Sequence, residues 1–383
     1  MSHSSAFTYF DIDRVISGKP FDEAVAEETE RLVAKRIYLI VGGTLSRETD
    51  VVARIEQALG SRLAGICNQM AAHSRLDEVV AAANAARAAD ADLILTIGGG
   101  SVTDGGKLVV LCLANGVTDM ETLRAYKTPG DRETKAPVIR QVAVPTTLSG
   151  GEFNITAGGT DPVRHVKQSY RHALLVPRVI ILDPAITVHT PEWLWLSTGI
   201  RAVDHAVEDI CSSRPHPYVD GTAAHALRLL SHGLARTKEN PGDLDARMDC
   251  LMGTWLSMIG SMAGVIRGAS HGIGHMLGGT AGVPHGYTSC VMLPNVLRYN
   301  LPANEAQQVK VSAAFDRPGD AAAEVVGALI SDLGLPRRLR DVGVKREQFA
   351  EIAANAMHDR YIPANPRPLK GPDDIVEILE MAW

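Results

Sequence analysis

Three things are scarce in this 383-residue chain, and each scarcity excludes a class of protein. Cysteine is the first. The five cysteines, Cys67, Cys112, Cys211, Cys250 and Cys290, form no CxxC pair and are odd in number. A disulfide framework is therefore not expected, and a reducing cytoplasm is the expected compartment. Positive charge is the second. Lys and Arg total 38 against 44 Asp and Glu, a net charge of -6. With no basic run, nucleic acid and anionic membrane surfaces are not expected partners. The third is long apolar runs. None reaches the roughly 18–20 residues of a membrane helix. Residues 1–11 have no basic segment followed by an apolar run, so no signal peptide is expected. Aromatic residues are also few, at 5%.

Glycine, by contrast, is abundant at 35 residues, and 45% of the chain is hydrophobic. That composition fits α/β layers with tight turns and an ample core, and the length suggests about two domains. The first half alternates strand and helix patterns. Segments 36–41, 62–68, 92–97, 138–144 and 178–182 are apolar, β-branched runs bounded by turn residues. Segments 48–59 and 76–89 have helical spacing. This alternation predicts a mostly parallel sheet with helices on both faces, and ligands in such sheets bind beyond the carboxyl ends of the strands. Roughly thirty residues precede the first strand read this way and are expected to form an extension.

The pattern changes near residue 187. Thr190-Pro191-Glu192 reads as a helix start, with a hydroxyl cap and proline in the first turn. Helical patterns follow over 194–211, 221–237, 244–268, 304–314, 320–333 and 346–356. The expected organisation is an α/β nucleotide-binding domain over 1–187 and an all-α catalytic domain over 188–383. Segment 361–372 is proline-rich and is expected to lie along the surface without regular structure.

Two loops are candidates for nucleotide chemistry, the plain alternative for each being a structural turn. Gly98-Gly99-Gly100-Ser101-Val102-Thr103-Asp104-Gly105-Gly106-Lys107 follows a strand and opens a helix. Glycines let backbone N–H groups approach a pyrophosphate, and a helix N-terminus favours its charge. The loop has neither the GK[ST] end of a P-loop nor the GxGxxG spacing of the usual dinucleotide turn. The second loop, Pro145-Thr146-Thr147-Leu148-Ser149-Gly150-Gly151-Glu152, also follows a strand. Its hydroxyls and glycines suit ribose or phosphate. The candidate cofactor contacts are Gly42, Gly43, Gly98, Gly99, Gly100, Ser101, Asp104, Lys107, Thr146, Thr147, Ser149, Glu152 and Lys167.

A second constellation is built from histidines. His271 and His275 are four residues apart and share a helical face, and His285 follows ten residues later. Arg201 and His205 have the same four-residue spacing, and Asp204 and Glu208 share their face. Neutral imidazole is both a metal ligand and an acid or base near neutrality. An ion pair with Asp204 is the plain alternative role for Arg201.

These motifs together resemble the iron-containing alcohol dehydrogenase superfamily over about residues 30–370. The family's GGGSxxDxxK matches 98–107, its PTT segment matches 145–152, and its HxxxHxxG…PHG pattern matches His271 to Gly286. The helix GxDAxxHAxE matches 199–208 except at Arg201, where the family places a metal-binding Asp. The chain is most similar to maleylacetate reductases, which also lack that Asp and carry Asn there.

The resemblance implies an active site in the cleft between an α/β and a helical domain, with NAD(H) or NADP(H) as cofactor. The turn Gly42-Gly43-Thr44 holds no acid to select against a 2′-phosphate. It further implies a small-molecule substrate and a homodimer or larger homo-oligomer. Fe2+ or Zn2+, if held, would sit on His205, His271 and His285. A guanidinium at 201 argues against either ion.

The expected chemistry is hydride transfer to the carbonyl of a small, maleylacetate-like keto acid without metal. Arg201 stabilises the oxyanion, His275 donates the proton, and His205, His271 and His285 bind substrate. The rivals are a metal-dependent alcohol dehydrogenase, a lyase using the nucleotide transiently, and a non-catalytic nucleotide-binding relative.

Overall fold

The computed structural model describes residues 7–383. They divide into two compact units, Tyr9–Thr190 and Pro191–Trp383, the second joined by residues 7–8.

The first unit is built on a six-stranded sheet. Its strands are β1 (Arg14–Ser17), β2 (Ile37–Val41), β3 (Leu63–Cys67), β4 (Leu93–Gly98), β5 (Arg140–Pro145) and β8 (Val179–Leu182). They run in the order β1-β8-β5-β4-β2-β3, and every neighbouring pair is parallel. Residues of β2, β4, β5 and β8 are buried throughout, as expected when helices cover both faces, with Thr96, Arg140 and Gln141 as the polar exceptions to otherwise largely apolar strands. One core packs Leu76, Val79, Leu108 and Leu111 against Ile40 and Ile94. The other packs Phe21, Val25, Ile55 and Leu59 against Leu39 and Leu95.

The N-terminal stretch is not an extension. Arg14–Ser17 adds to the sheet as an edge strand on β8, and Phe21–Arg31 is a helix whose buried face belongs to the core. Two further strands lay outside the sequence reading. β6 (Thr156–Asp161) and β7 (Val166–Arg171) form an antiparallel hairpin. Its buried Asp161 accepts two hydrogen bonds from Arg124, at 2.7 and 3.0 Å. Gly158-Gly159 within β6 hid the strand pattern, because glycine has low strand propensity.

The second unit is helical. Its main helices are Glu192–Ile210, Pro217–Glu239, Leu244–Ser257, Ala269–Ala281, His285–Ala314, Ala322–Asp332, Phe349–Ala356 and Pro372–Met381. Helix Glu192–Ile210 is buried from Trp195 onward, so every polar residue on it needs an internal partner. Thr190 does not cap it, because the Thr190 hydroxyl donates to the Thr146 carbonyl at 2.6 Å. Helix His285–Ala314 begins well before the expected 304. It contains Pro294 and Pro302 and bends at Asn304, where Gln308 donates to the Leu297 carbonyl across the kink at 2.8 Å.

Segment 361–372 is irregular apart from the turn Ile362–Ala364, but it does not simply skirt the surface. Ile362 and Asn365 are buried, and Asn365 exchanges side-chain hydrogen bonds with Asn300 at 2.8 and 3.0 Å. None of the described helices is long and apolar enough to cross a membrane.

Candidate active site

In the first unit, Gly98 ends β4 with a φ of 156° and helix Gly100–Asn115 starts at once. A Cβ at Gly98 would lie 2.8 Å from Val102 Cγ2, and one at Gly100 would lie 2.7 Å from Ser149 Oγ. Glycine therefore fits where side chains do not, and it leaves the first N–H groups of the helix uncovered. Ser149 and Thr147 from the second loop flank Gly100 and Gly99. The two loops expected to meet at adjacent strand ends do so, because β4 and β5 are paired with Gly98 opposite Pro145. Ser101 Oγ accepts from the His73 N–H at 2.9 Å, which holds the 70–74 loop against this helix start. Such a cradle fits a pyrophosphate.

Two expected cofactor contacts are withdrawn from the surface. Lys107 is 0% exposed. Its Nζ donates to the carbonyls of Gly151 (2.5 Å) and Thr156 (2.9 Å) and to Asp104 Oδ1 (3.3 Å). It therefore fastens the glycine helix to the hairpin rather than meeting a phosphate. Glu152 is 1% exposed, and both its carboxylate oxygens lack a partner. Burial pushes its pKa up to about 7. Asp104 Oδ2 accepts from the Gly158 N–H at 3.0 Å, so this acid also braces the hairpin. Lys167 lies exposed on β7, beside Gly158 and with its charge felt by His73. Thr146 and Thr147 are buried, and Gly42 and Gly43 form the turn after β2.

In the second unit the histidines and Arg201 form one chain of contacts. Arg201 is 4% exposed. Its Nη1 lies 3.0 Å from Ser289 Oγ and 3.4 Å from Asp204 Oδ2, and its Nε has no partner. Asp204 Oδ2 also accepts from Ser289 at 2.6 Å and Ser270 at 2.9 Å. Glu208 Oε1 accepts from the Ser270 N–H at 3.0 Å, satisfying a free donor of helix Ala269–Ala281. Glu208 Oε2 lies 2.6 Å from His271 Nδ1. The His205 and His271 rings are 5.1 Å apart. Tyr361 meets His271 at 5.7 Å and His275 at 5.6 Å, and His275 stacks on His285 at 6.1 Å. His275 Nδ1 lies 2.8 Å from Asp359 Oδ2, and the His275 side chain is 31% exposed.

Burial governs the charges here. It pushes Glu208 up to about 8, aided by repulsion from Asp204. It holds His205 and His271 well below their usual range, and the cations Arg201 and Arg267 lower both further. Arg267 is itself paired with Asp209 at 3.1 Å. Two buried cations thus balance two buried carboxylates, while Glu208 stays protonated and the imidazoles neutral at pH 7.

Asp204, Glu208 and His271 form an acid and histidine cluster, but Arg201 beside Asp204 opposes a divalent ion there. Ligand atoms of Asp204, Glu208 and His271 come within 4.8 Å of one another, and no other such group of three exists among the described residues. His205, His271 and His285 are therefore not gathered as a ligand set. Asp204 Oδ2 is already engaged by Arg201, Ser270 and Ser289. A divalent ion about 5 Å from one guanidinium is repelled by roughly 6–7 kcal/mol at an effective dielectric near 20. The unpartnered buried atoms are Arg201 Nε, His205 Nδ1, His271 Nε2 and Asp204 Oδ1. The guanidinium N–H must donate, and each neutral imidazole can. The three nitrogens suit a carbonyl or carboxylate oxygen, whereas Asp204 Oδ1 can only accept.

Arg267, Ser270, Ser289, Asp359 and Tyr361 were not singled out from sequence. Ser289 follows His285 by four residues on one helix, so helical spacing offered a signal there; Arg267 lies before helix Ala269–Ala281 and Ser270 adjoins His271, and neither spacing gives a shared face. Asp359 and Tyr361 come from a distant segment with no such signal.

Residues 13–184 match the iron-containing alcohol dehydrogenase family, and residues 195–383 match the Fe-containing alcohol dehydrogenase family C-terminal region. The dehydrogenase FUM7 of Gibberella moniliformis is 36% identical over 95% of each chain. The maleylacetate reductase of Pseudomonas aeruginosa is 29% identical over 97% of this chain and 95% of its own. The maleylacetate reductase structure from Rhizobium sp. strain MTP-10005 superposes with a TM-score of 0.83 at 27% identity, covering 100% of this chain and 99% of that one.

Proposed function

The chain belongs to the iron-containing alcohol dehydrogenase family and is an oxidoreductase, and from that premise we propose that it reduces the carbonyl of a small keto acid without a metal ion. The observation that carries this reading is the buried Arg201, paired with Asp204 among unpartnered histidine nitrogens. A fixed cation there takes the electrostatic place of an ion, and guanidinium also pairs with carboxylates. The 29% identity to a maleylacetate reductase favours an unsaturated keto diacid as substrate class.

Gly98–Ser101, Thr147 and Ser149 would hold NADH or NADPH, which would supply the hydride for the carbonyl carbon. Arg201 stabilises the negative charge that grows on the carbonyl oxygen. A single oriented donor of this kind lowers a barrier by about 3–4 kcal/mol. His271, neutral and braced by Glu208, offers Nε2 to the substrate, and His205 offers Nδ1. When Glu208 keeps its proton and donates it to His271 Nδ1, Nε2 carries hydrogen and acts as a donor. His275 delivers the proton to the product alkoxide, with Asp359 holding the imidazole in place. Its partial exposure lets the proton be replaced from solvent. His285, stacked on His275, lines the substrate side.

The test is nicotinamide oxidation with maleylacetate and simpler 2-keto acids, using chelator-stripped enzyme. Turnover that appears only with simple aldehydes and added iron or zinc would refute the proposal.

A further inference from the structure

The helical unit contains a cavity of about 410 Å³ that the reaction does not use. Its wall carries Arg298, Arg337, Arg338, Arg340 and Arg346, with Glu380 as the acid among the lining residues. Pro294, Ile330 and Ala382 supply an apolar floor. Five guanidinium groups gathered at one place contrast with a chain whose net charge is -6.

Their partners are few. Arg298 bonds Glu324 at 2.8 Å, and Arg346 bonds Glu380 at 2.9 Å while lying over the Trp383 ring. Arg337 reaches only the Ser331 hydroxyl, at 3.4 Å. Asp341, the nearby acid in sequence, gives Oδ2 to the backbone N–H groups of Arg337 and Arg338. Five cations against the three carboxylates Glu324, Glu380 and Asp341 leave an excess of two positive charges.

The frame is also fixed. Leu339 is fully buried between Arg338 and Arg340, and its N–H donates to the Ala382 carbonyl at 2.9 Å. Both arginines are thus held to a packed turn, Leu339–Val342. All five arginines are exposed, so solvent screens their repulsion while leaving their forks accessible to a ligand. Guanidinium forks pair with carboxylate and phosphate oxygens, and the cavity lies within the roughly 300–1,000 Å³ of small-molecule pockets.

We propose that this cavity binds a small organic or inorganic anion carrying two or more carboxylate or phosphate groups, at a site separate from the substrate. A singly charged ion would leave half of the positive excess uncompensated, whereas a dianion would match it. The proposal does not depend on which keto acid the enzyme reduces.

The test is isothermal titration of the full-length protein, saturated with NADPH so that the glycine cradle is occupied, with citrate, pyrophosphate and acetate at equal ionic strength. Citrate or pyrophosphate is expected to bind at one site at least tenfold more tightly than acetate, and the tighter of the two identifies the chemical class. The double variant Arg338→Gln/Arg340→Gln is expected to weaken that binding at least tenfold. Arg228→Gln, which removes an exposed arginine paired with Asp316, is expected to leave it unchanged. Binding that survives in the double variant belongs elsewhere and overturns the proposal, as does binding no tighter than that of acetate.

Discussion

Arg201 carries a structural contribution, its buried pair with Asp204, and the catalytic one proposed above; replacing it with alanine removes both. The first is structural. Arg201 and Asp204 are both buried, and Asp204 would keep only the hydroxyls of Ser270 and Ser289 as close donors. Removing one partner of a buried pair costs about 3–5 kcal/mol, because the other charge is left uncompensated. The second is catalytic. Loss of an oriented donor at the developing oxyanion costs about 3–4 kcal/mol of barrier, a fall in kcat of roughly 10²–10³. The double variant Arg201→Ala/Asp204→Asn tells them apart. It removes the stranded charge and should recover most of the stability, while kcat stays low. The assay pairs urea unfolding with steady-state oxidation of NADH by a keto acid. If either variant keeps kcat within about threefold of the parent on every keto acid tried, Arg201 does not stabilise the transition state.

Other outcomes follow from the same geometry. His275→Ala should lower kcat by roughly 10²–10⁴, and Asp359→Asn by less, with the KM for substrate little changed in both. Equal effects on kcat and KM would contradict the proton-donor role. Glu152 has a folded pKa of about 7, raised by burial above its usual 4.5. The folded state therefore holds more protons than the unfolded state between these values, and stability falls as pH rises through that window. Glu152→Gln should abolish this decline, raising the melting temperature at pH 8 but not near pH 5; an equal gain at both pH values would exclude burial of the charge as its source. Gly106→Ala should destabilise by about 1–3 kcal/mol, since a Cβ there collides with Thr96 Cγ2 and the Gln141 amide. An unchanged urea midpoint would show that the sheet face yields more easily than its packing indicates.

Much of this was legible in the residues. Strands β2 and β8 are unbroken apolar runs and β4 is broken only by Thr96, and such runs declare burial on both faces. The glycine loop at 98–100 was visible because glycine followed directly by a helix has few other uses. The four-residue spacings of Arg201 with His205, and of His271 with His275, placed those side chains correctly on two helices. What escaped depended on distant contacts. β1 is only four residues long and gains its identity from pairing with β8. The hairpin of β6 and β7 is stabilised partly by Arg124 reaching Asp161 from another helix. Lys107 stands at the spacing of a phosphate ligand, yet two carbonyls contributed by the 151–156 segment draw it inside. Asp359 and Tyr361 join the site from a proline-rich stretch whose composition gave no hint of burial.

The most direct test of the central claim is turnover of NADH or NADPH with maleylacetate by enzyme stripped with chelator, its residual metal content measured on the same sample. The account predicts full turnover at far less than one metal ion per chain, unchanged when iron or zinc is returned. Turnover that disappears on stripping and returns with a divalent ion would contradict it, and would mean that His205, His271 and His285 gather around a metal despite Arg201.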